Sequence, residues 1–223
     1  NFEIKTIDEL GPLMKSLPEL IGLNVTIPFK ESVIPFLNEL DPSAIAIGAV
    51  NTIKINYEEE EIVTIGYNTD SAAFGKTLEP LLDKIQKKAL VLGTGGAAKA
   101  VSHALSNLKI KHLMVSRNHQ MTSSLPVEVL NYADLADTII KSHQLIINTT
   151  PLGMHPNQET CPDIPYGSLT EKHLLYDLVY NPDESLFLSR GKEKGSLIKN
   201  GKEMLEIQAE LSWELWNASS MDK

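Results

Sequence analysis

The sequence predicts an α/β protein whose main sheet is parallel and doubly wound. From Thr69 onward, apolar strand-like runs alternate with helix-like segments, and this alternation is typical of parallel sheets. One of these runs, "ALVLG", leads through a glycine-rich turn directly into a helix, as in dinucleotide-binding folds. The elements before Thr69 are shorter and richer in strands, which predicts a second, smaller region.

The smaller region reads as short strands and helices. We expect a broken helix at "DELGPLMKSLPEL" and strands at "NFEIKTI", "IGLNVTI", "AIAIGAVNTIKIN" and "EEIVTIGYN". The acidic run "YEEEE" between the last two strands predicts a solvated hairpin tip. In "NVTIPFK", Pro28 predicts the first turn of a helix that continues through "ESVIPFLNEL" and is bent or broken near Pro35.

The second region begins with an amphipathic helix at "TDSAAFGKTLEPLLDKIQ". The stretch "KKALVLGTGGAAKAVSHALSNL" predicts a strand, a glycine turn and a helix. The remaining predicted elements are strands at "KHLMVSRN", "HQLIINTTP", "HLLYDLVYNP" and "SLIKN", and a helix at "GKEMLEIQAELSWELWNA". After Asn118, "MTSSLP" is a polar loop where a longer crossover helix is usual.

Composition excludes several classes of function. The net charge of −9 and the pI of about 5.2 disfavour a broad nucleic-acid-binding face or an acidic-lipid patch. The single cysteine, Cys161, cannot form an internal disulfide, so we expect a reducing cytoplasm and an ordinary loop thiol. Neither a membrane-spanning run nor a signal peptide is visible in the sequence. The histidines have no metal-ligand spacing, so no metal is expected.

The glycine turn "LGTGGAAKA" has the GxGxxA spacing of a dinucleotide site. Gly93 permits the tight turn, Gly95 lets the backbone approach a pyrophosphate, and Ala98 allows close packing of the helix on the strand. Gly96 and Ala97 belong to the same binding turn, where the helix N-terminus holds the phosphates. The alternative is a plain strand–turn–helix connection, but the strand before and the helix after favour dinucleotide binding.

The end of the next strand selects the nucleotide. An NAD site places Asp or Glu there, whereas this sequence has Ser116, Arg117 and Asn118. A guanidinium in place of a carboxylate favours the 2′-phosphate of NADP, although an ordinary surface arginine is the alternative. Asn148, Thr149 and Thr150 end a later strand and are expected to line the cofactor cleft, unless they form only a polar strand exit.

A second group of polar residues lies before and at the junction of the two regions. Lys30 falls where a helix N-terminus would disfavour an ammonium group, which raises the question of its use. Asn51 follows a Gly-Ala-Val strand, and Asn68 and Asp70 lie at the start of the connecting helix. Separately, these residues read as turn and capping residues. Together, Lys30 and Asp70 form a sensible proton-handling pair beside a carbonyl group.

Seven segments occur in the order and approximate spacing of one enzyme family: "NVTIPFK", "GAVNTI", "GYNTD", "LGTGGAAKA", "NTTPLGM", "DLVYNP" and "NGKEML" followed by Gln208. On these segments, from about Leu23 to about Trp216, the chain resembles shikimate dehydrogenase. The resemblance implies NADPH-dependent reduction of 3-dehydroshikimate to shikimate, on the pathway to chorismate and the aromatic amino acids. It also implies a substrate domain (1–69 and 202–223), an NADP-binding domain (70–201) and an active site between them.

The resemblance further implies roles for individual residues. Lys30 and Asp70 match the catalytic pair. The implied substrate-binding residues are Thr26, Lys30, Asn51, Asp70, Tyr180 and Gln208. The implied cofactor-binding residues are those of the glycine turn and the two strand ends named above, with Gly201 and Met204 beside the nicotinamide. The only expected partners are small molecules, and the protein is expected to be a monomer or a homodimer.

Three features depart from the family pattern. Nothing in this sequence matches the serine pair that binds the substrate carboxylate, and the chain begins at Asn1. We therefore expect an N-terminal segment to be missing, either from the protein itself, which would abolish substrate affinity, or only from the sequence given. The "NRT" of the family is "SRN" here, and the following crossover is short, which predicts a more open adenine pocket. The alternatives left open are an NAD-using quinate/shikimate dehydrogenase and a non-catalytic dinucleotide-binding relative.

Overall fold

The computed structural model describes residues 1–58, 61–82, 88–117 and 127–218. Its strands form two sheets, one with four strands and one with six, and helices pack on both. The predicted α/β class is confirmed. The tip of the acidic hairpin at 59–60, Asn118 and the "MTSSLP" loop lie outside the described residues.

The larger sheet is parallel throughout, with the order β10-β9-β8-β5-β6-β7. This is the doubly wound order, in which the winding direction reverses between β5 and β8 and ligands bind at the carboxyl edge beside that reversal. The strands β8 and β9 are buried along their whole length, which is why both read as continuous apolar runs. The strands of this sheet are β5 (Lys88–Leu92), β6 (Lys111–Ser116), β7 (Val129–Asn131), β8 (Leu145–Asn148), β9 (Leu174–Asp177) and β10 (Leu197–Lys199).

Alternate residues of these strands supply two cores, one on each face of the sheet. On one face, Val91, Met114 and Ile147 pack with side chains from α3, α4 and α7. On the other, Leu92, Val115 and Ile146 pack with α5 and α6. The helices are α3 (Asp70–Leu78), α4 (Gly96–Asn107), α5 (Asp137–Ser142), α6 (Leu186–Lys192) and α7 (Lys202–Asn217).

The smaller sheet has the order β1-β3-β4-β2, with β2 parallel to β4 and the other pairs antiparallel. The expected hairpin is formed by β3 and β4. A separate core that includes Val33, Ile53 and Ile55 lies beneath this sheet. The elements of this region are α1 (Leu10–Ser16), β1 (Gly22–Asn24), β2 (Glu39–Leu40), α2 (Pro42–Ile47), β3 (Thr52–Glu58) and β4 (Glu61–Tyr67).

The C-terminal helix α7 joins the two sheets. Near its start, Met204 belongs to the core of the larger sheet. Near its end, Trp216 Nε1 donates to the Ile53 carbonyl at 2.9 Å, and the Ser212 hydroxyl lies 2.7 Å from Thr52 Oγ1, both in β3. The helix therefore returns to the smaller sheet after packing on the larger one.

The predicted strand at 1–7 is wrong, and the one predicted at 44–56 is right only over residues 52–56, which lie in β3. Residues 1–6 form no strand, because the Glu9 carboxylate accepts from the backbone N–H groups of Lys5 and Thr6 and starts a 3-10 helix at Ile7–Glu9. The stretch "AIAIG" is helix α2 rather than strand. Asp41 caps this helix by accepting from the Ser43 N–H at 2.8 Å, and Gly48 ends it at a φ of 69°.

The helix predicted at "NVTIPFK" is also wrong. Residues 27–33 form successive turns, followed by a 3-10 helix at Ile34–Phe36. The Lys30 carbonyl accepts from the Val50 N–H at 2.7 Å, outside this segment, and Pro35 has no N–H to donate to a helix. Lys30 is therefore not in the first turn of an α-helix, and the expected dipole conflict does not arise.

We predict that Gly22→Ala destabilises the protein by about 1–3 kcal/mol, because a Cβ at this position would lie 2.1 Å from Trp216 Nε1 and 2.7 Å from the Ile53 carbonyl oxygen. The added methyl group would displace the indole that fastens α7 to the smaller sheet. Chemical denaturation would measure the change. Gly11→Ala is the matched control: its Cβ would meet no atom within 4 Å, so it should be neutral or slightly stabilising within α1. Equal stabilities of the two variants would contradict the packing argument.

Candidate active site

A cavity of about 610 Å3 lies between the carboxyl edge of the larger sheet and the start of β3. It is bounded by residues from both sheets and from α7. All the substrate-binding residues implied by the sequence line it: Thr26, Lys30, Asn51, Asp70, Tyr180 and Gln208. Five of the implied cofactor-binding residues also line it: Ala97, Thr149, Thr150, Gly201 and Met204.

Lys30 and Asp70 form an ion pair in this cavity. Lys30 Nζ lies 2.6 Å from Asp70 Oδ2, and the side chains are 15% and 7% exposed. Asp70 is the first residue of α3 and Thr69 is its N-cap, so the carboxylate lies at the helix end that stabilises negative charge. The capping position is thus occupied by Thr69, and the Asp70 carboxylate is directed at Lys30.

Asn51 fixes the other carboxylate oxygen. Its Nδ2 donates to Asp70 Oδ1 at 3.0 Å and to Thr69 Oγ1 at 2.8 Å, and its Oδ1 accepts from the Thr69 N–H at 2.8 Å. Gln208 Oε1, on α7, is 3.3 Å from the same Nδ2. Since Asn51 is only 2% exposed, these bonds hold Asp70 in one orientation relative to Lys30.

Asn68 has a structural position. Its Nδ2 donates to the Ala49 carbonyl at 2.9 Å, and its Oδ1 accepts from the Ser71 N–H at 3.2 Å at the start of α3. Its side chain therefore braces the helix that presents Asp70.

The glycine turn has the backbone that its spacing predicts. Gly93 has a φ of 119°, and a Cβ there would lie 2.6 Å from Thr149 Oγ1. Gly95 is the N-cap of α4, and a Cβ there would meet open space, so its backbone is accessible to a ligand. Ala98 is 1% exposed in the core, consistent with close packing of the helix. The first N–H groups of α4 are available to an anion.

Gly96 brings the two halves of the site together. A Cβ at this position would lie 3.0 Å from Lys30 Cβ and 3.3 Å from Ala49 Cβ. On the next turn of α4, Lys99 Nζ pairs with Glu31 Oε2 at 2.6 Å. The glycine turn is therefore packed directly against the segment that carries the lysine.

Ser116 and Arg117 lie at the end of β6, away from the cavity. Arg117 is exposed, as a contact to a nucleotide phosphate requires. Burial raises the pKa of the Tyr132 hydroxyl to about 12, although the positive charge of Arg117 acts to lower this pKa. Arg117 and Tyr132 thus lie near each other at the carboxyl edge of β6 and β7.

Asn148 is fully buried and does not line the cavity. Its Nδ2 donates to Asp177 Oδ1 at 2.9 Å. Asp177, at the end of β9, lies within the segment "DLVYNP", but no role was predicted for it from the sequence. Burial raises the pKa of its carboxyl group to about 7, although hydrogen bonds from Ser185, Val179 and Asn148 act against the shift. The sequence feature that could have identified Asp177 is a carboxylate within the apolar run "LLYDLV".

Among residues 1–58, 61–82, 88–117 and 127–218, no group of three or more His, Cys, Asp or Glu side chains could hold a metal ion. Within the same ranges, no helix is both long and apolar enough to cross a membrane.

A glycine turn with dinucleotide-site spacing at the switch point of a doubly wound sheet, facing a Lys–Asp pair, is typical of a dinucleotide-dependent oxidoreductase. Residues 1–53 match the family model described as shikimate dehydrogenase substrate binding domain. The shikimate dehydrogenase (NADP(+)) of Desulforamulus reducens is 39% identical over 212 residues, which cover 88% of this chain and 71% of that relative. This chain belongs to the shikimate dehydrogenase family.

Solved structures have the same fold. The shikimate dehydrogenase of Aquifex aeolicus is 33% identical with a TM-score of 0.83, over 99% of this chain and 81% of that one. The shikimate 5-dehydrogenase of Thermus thermophilus, solved in complex with NADP(H) and shikimate, is 29% identical with a TM-score of 0.78, over 93% and 77% of the two chains. The resemblance carried by the seven sequence segments is thereby confirmed.

Proposed function

We propose that this protein catalyses the reversible NADPH-dependent reduction of 3-dehydroshikimate to shikimate, a step towards chorismate and the aromatic amino acids. The observation that carries the proposal is the Lys30–Asp70 pair, 2.6 Å apart, in the same cavity as the glycine turn's Ala97 and the strand-end residues Thr149 and Thr150. The activity for which the Desulforamulus reducens relative is named, and the NADP(H) and shikimate of the Thermus thermophilus complex, support this substrate and cofactor.

When bound, NADPH would supply a hydride to the C3 carbonyl of the substrate. The Lys30 ammonium stabilises the developing charge on the carbonyl oxygen and supplies its proton. Asp70 holds this ammonium in place through Oδ2, while Asn51 holds Oδ1. The cavity walls contribute by keeping the ring and the nicotinamide face to face.

The remaining polar groups of the cavity are proposed to bind the substrate. Asn51 is hydrogen-bonded to both Asp70 and Gln208, and the three side chains present donors and acceptors suited to the ring hydroxyls. Thr26 and Tyr180 line the same cavity from two other chain segments, and Tyr180 is 45% exposed.

We propose that NADP binds along the carboxyl edge of the larger sheet. Gly93, Gly95, Gly96, Ala97 and Ala98 form the pyrophosphate turn, and Gly201 and Met204 contact the nicotinamide. Ser116 and Arg117 bind the 2′-phosphoadenosine end, where the guanidinium forms a charge-assisted contact. Asn148 positions Thr150 from behind the cleft, since its Oδ1 accepts from the Thr150 N–H at 3.0 Å.

The proposed domain division assigns residues 1–69 and 202–223 to the substrate domain and residues 70–201 to the NADP-binding domain. The return of α7 to β3 through Trp216 supports the first assignment. The packing of Ala73 and Phe74 in the core of the larger sheet supports a boundary at the start of α3.

We predict that the protein oxidises shikimate at least about tenfold faster with NADP than with NAD at equal low cofactor concentration, because Arg117 pairs with the 2′-phosphate. Absorbance of the reduced nicotinamide measures both rates. A preference for NAD would favour a quinate/shikimate dehydrogenase, such as the quinate dehydrogenase of Corynebacterium glutamicum solved with NAD, which is 27% identical. Shikimate binding without an absorbance change would favour a non-catalytic relative.

We predict that Lys30→Met lowers kcat by about 10²–10⁴-fold while the Kd for NADP changes little, because the ammonium acts on the carbonyl oxygen and not on the phosphates. Methionine retains the aliphatic contacts of Lys30 with the Gly96 turn. Stopped-flow turnover and cofactor fluorescence titration measure the two quantities. Lys192→Met is the matched control: Lys192 also pairs with a carboxylate, Glu184, at 2.7 Å, but its side chain is 63% exposed on α6. Near-normal turnover in Lys30→Met would rule out the proposed role.

A further inference from the structure

We propose that Asp177 is a positioning residue, which ties together three segments of the cleft wall without touching the reactants. The segments are the β8 exit (149–153), the β9 exit (178–180) and the α7 start (201–208). Asp177 is fully buried and does not line the cavity, whereas each segment contributes residues that do. The consequence for turnover rests on the proposed function.

Asp177 holds the β8 exit through a relay. Its Oδ1 accepts from Asn148 Nδ2 at 2.9 Å. On the other side of the same amide, Asn148 Oδ1 accepts from the Thr150 N–H at 3.0 Å and from Thr150 Oγ1 at 2.7 Å. The orientation of the Asn148 amide is therefore set by the carboxylate, and it sets in turn the position of Thr150 in the cleft.

The same carboxylate oxygen holds the other two segments. Asp177 Oδ1 accepts from the Val179 N–H at 3.0 Å, at the β9 exit. The Val179 carbonyl accepts from the Gly201 N–H at 3.2 Å, and a Cβ on Gly201 would lie 2.2 Å from the Leu178 carbonyl oxygen. The α7 start, which carries Met204 and Gln208, is therefore in tight contact with the backbone that Asp177 orients.

The second carboxylate oxygen accepts from the Ser185 hydroxyl. Ser185 also caps α6, accepting from the Leu188 N–H at 3.4 Å, and its Cβ would lie 3.3 Å from a Cβ on Gly153. The buried carboxylate thus has donors on both oxygens. Removing it would leave these donors without an acceptor in an apolar interior, and the segments would move to find others.

Asp177→Ala and Asp177→Asn separate positioning from other roles. An asparagine can accept from Asn148 and Val179 through its oxygen and donate to Ser185 Oγ through its nitrogen, so it preserves the network without the charge. Asp163→Ala, at an exposed aspartate, is the matched control. The measurements are kcat and KM for shikimate oxidation, and hydrogen exchange at the Thr150 amide, all at a temperature where circular dichroism shows each variant folded.

We expect Asp177→Ala to lower kcat/KM by about 100-fold, because displaced walls misalign the reactants. Asp177→Asn should stay within about fivefold of the wild type. Exchange at the Thr150 amide, which does not bond Asp177 itself, should accelerate by about tenfold in Asp177→Ala only. If Asp177→Ala does not fold, Ser185→Ala replaces it, with a smaller acceleration expected at Thr150.

Two results would overturn the inference. The first is unchanged hydrogen exchange at the Thr150 amide in the folded Asp177→Ala variant, or in Ser185→Ala where it replaces that variant. The second is an Asp177→Asn variant as impaired as Asp177→Ala, which would mean that the charge itself is needed. If the wild type does not oxidise shikimate, the proposed function fails. The exchange measurement still decides whether Asp177 positions the β8 exit.

Discussion

The arrangement of the site depends on the ion pair between Lys30 and Asp70, which joins positions 40 residues apart. A lysine this little exposed requires a counter-charge, because desolvation of an isolated ammonium group is unfavourable. The pair forms only if the turn at 27–33 meets the start of α3. Asn51 holds the carboxylate there by donating to Asp70 Oδ1, and Asn51 is itself hydrogen-bonded to Thr69. The same turn packs against Gly96, so the proposed proton-transfer site and the proposed pyrophosphate site are built as one unit.

In this geometry, the C-terminal helix α7 and residues of the smaller sheet contribute to the same cavity. Helix α7 begins against the β9 exit at Gly201 and ends on β3 at Trp216. Between these contacts it presents Gln208 to Asn51. A helix fixed at both ends in this way keeps a polar side chain of the C-terminal region at a defined distance from residues near the N-terminus, which a loop would not do.

The parts predictable from sequence were those determined by local rules. The glycine spacing and the apolar strand before it predicted the nucleotide turn, because the φ of Gly93 and the packing of Ala98 are local requirements. The Lys30 position was identified through an incorrect helix: the Lys30 carbonyl bonds Val50, a long-range contact that no local pattern contains. The wrong prediction of a strand at "AIAIG" was avoidable from local sequence. Asp41, Pro42 and Gly48 are helix-boundary signals that outweigh the β-branched residues of this stretch. Asp177 was missed because its partners Asn148 and Ser185 are brought to it only by the parallel sheet and α6.

The central claim is that Lys30 and Asp70 act as one unit. A double-mutant cycle with Lys30→Met and Asp70→Asn, measured on single-turnover hydride transfer with saturating NADPH, tests it most directly. If Asp70 acts through Lys30, the double variant should be slowed by about as much as Lys30→Met alone. Fully additive losses in the double variant would contradict the account, because they would mean that the two residues contribute independently.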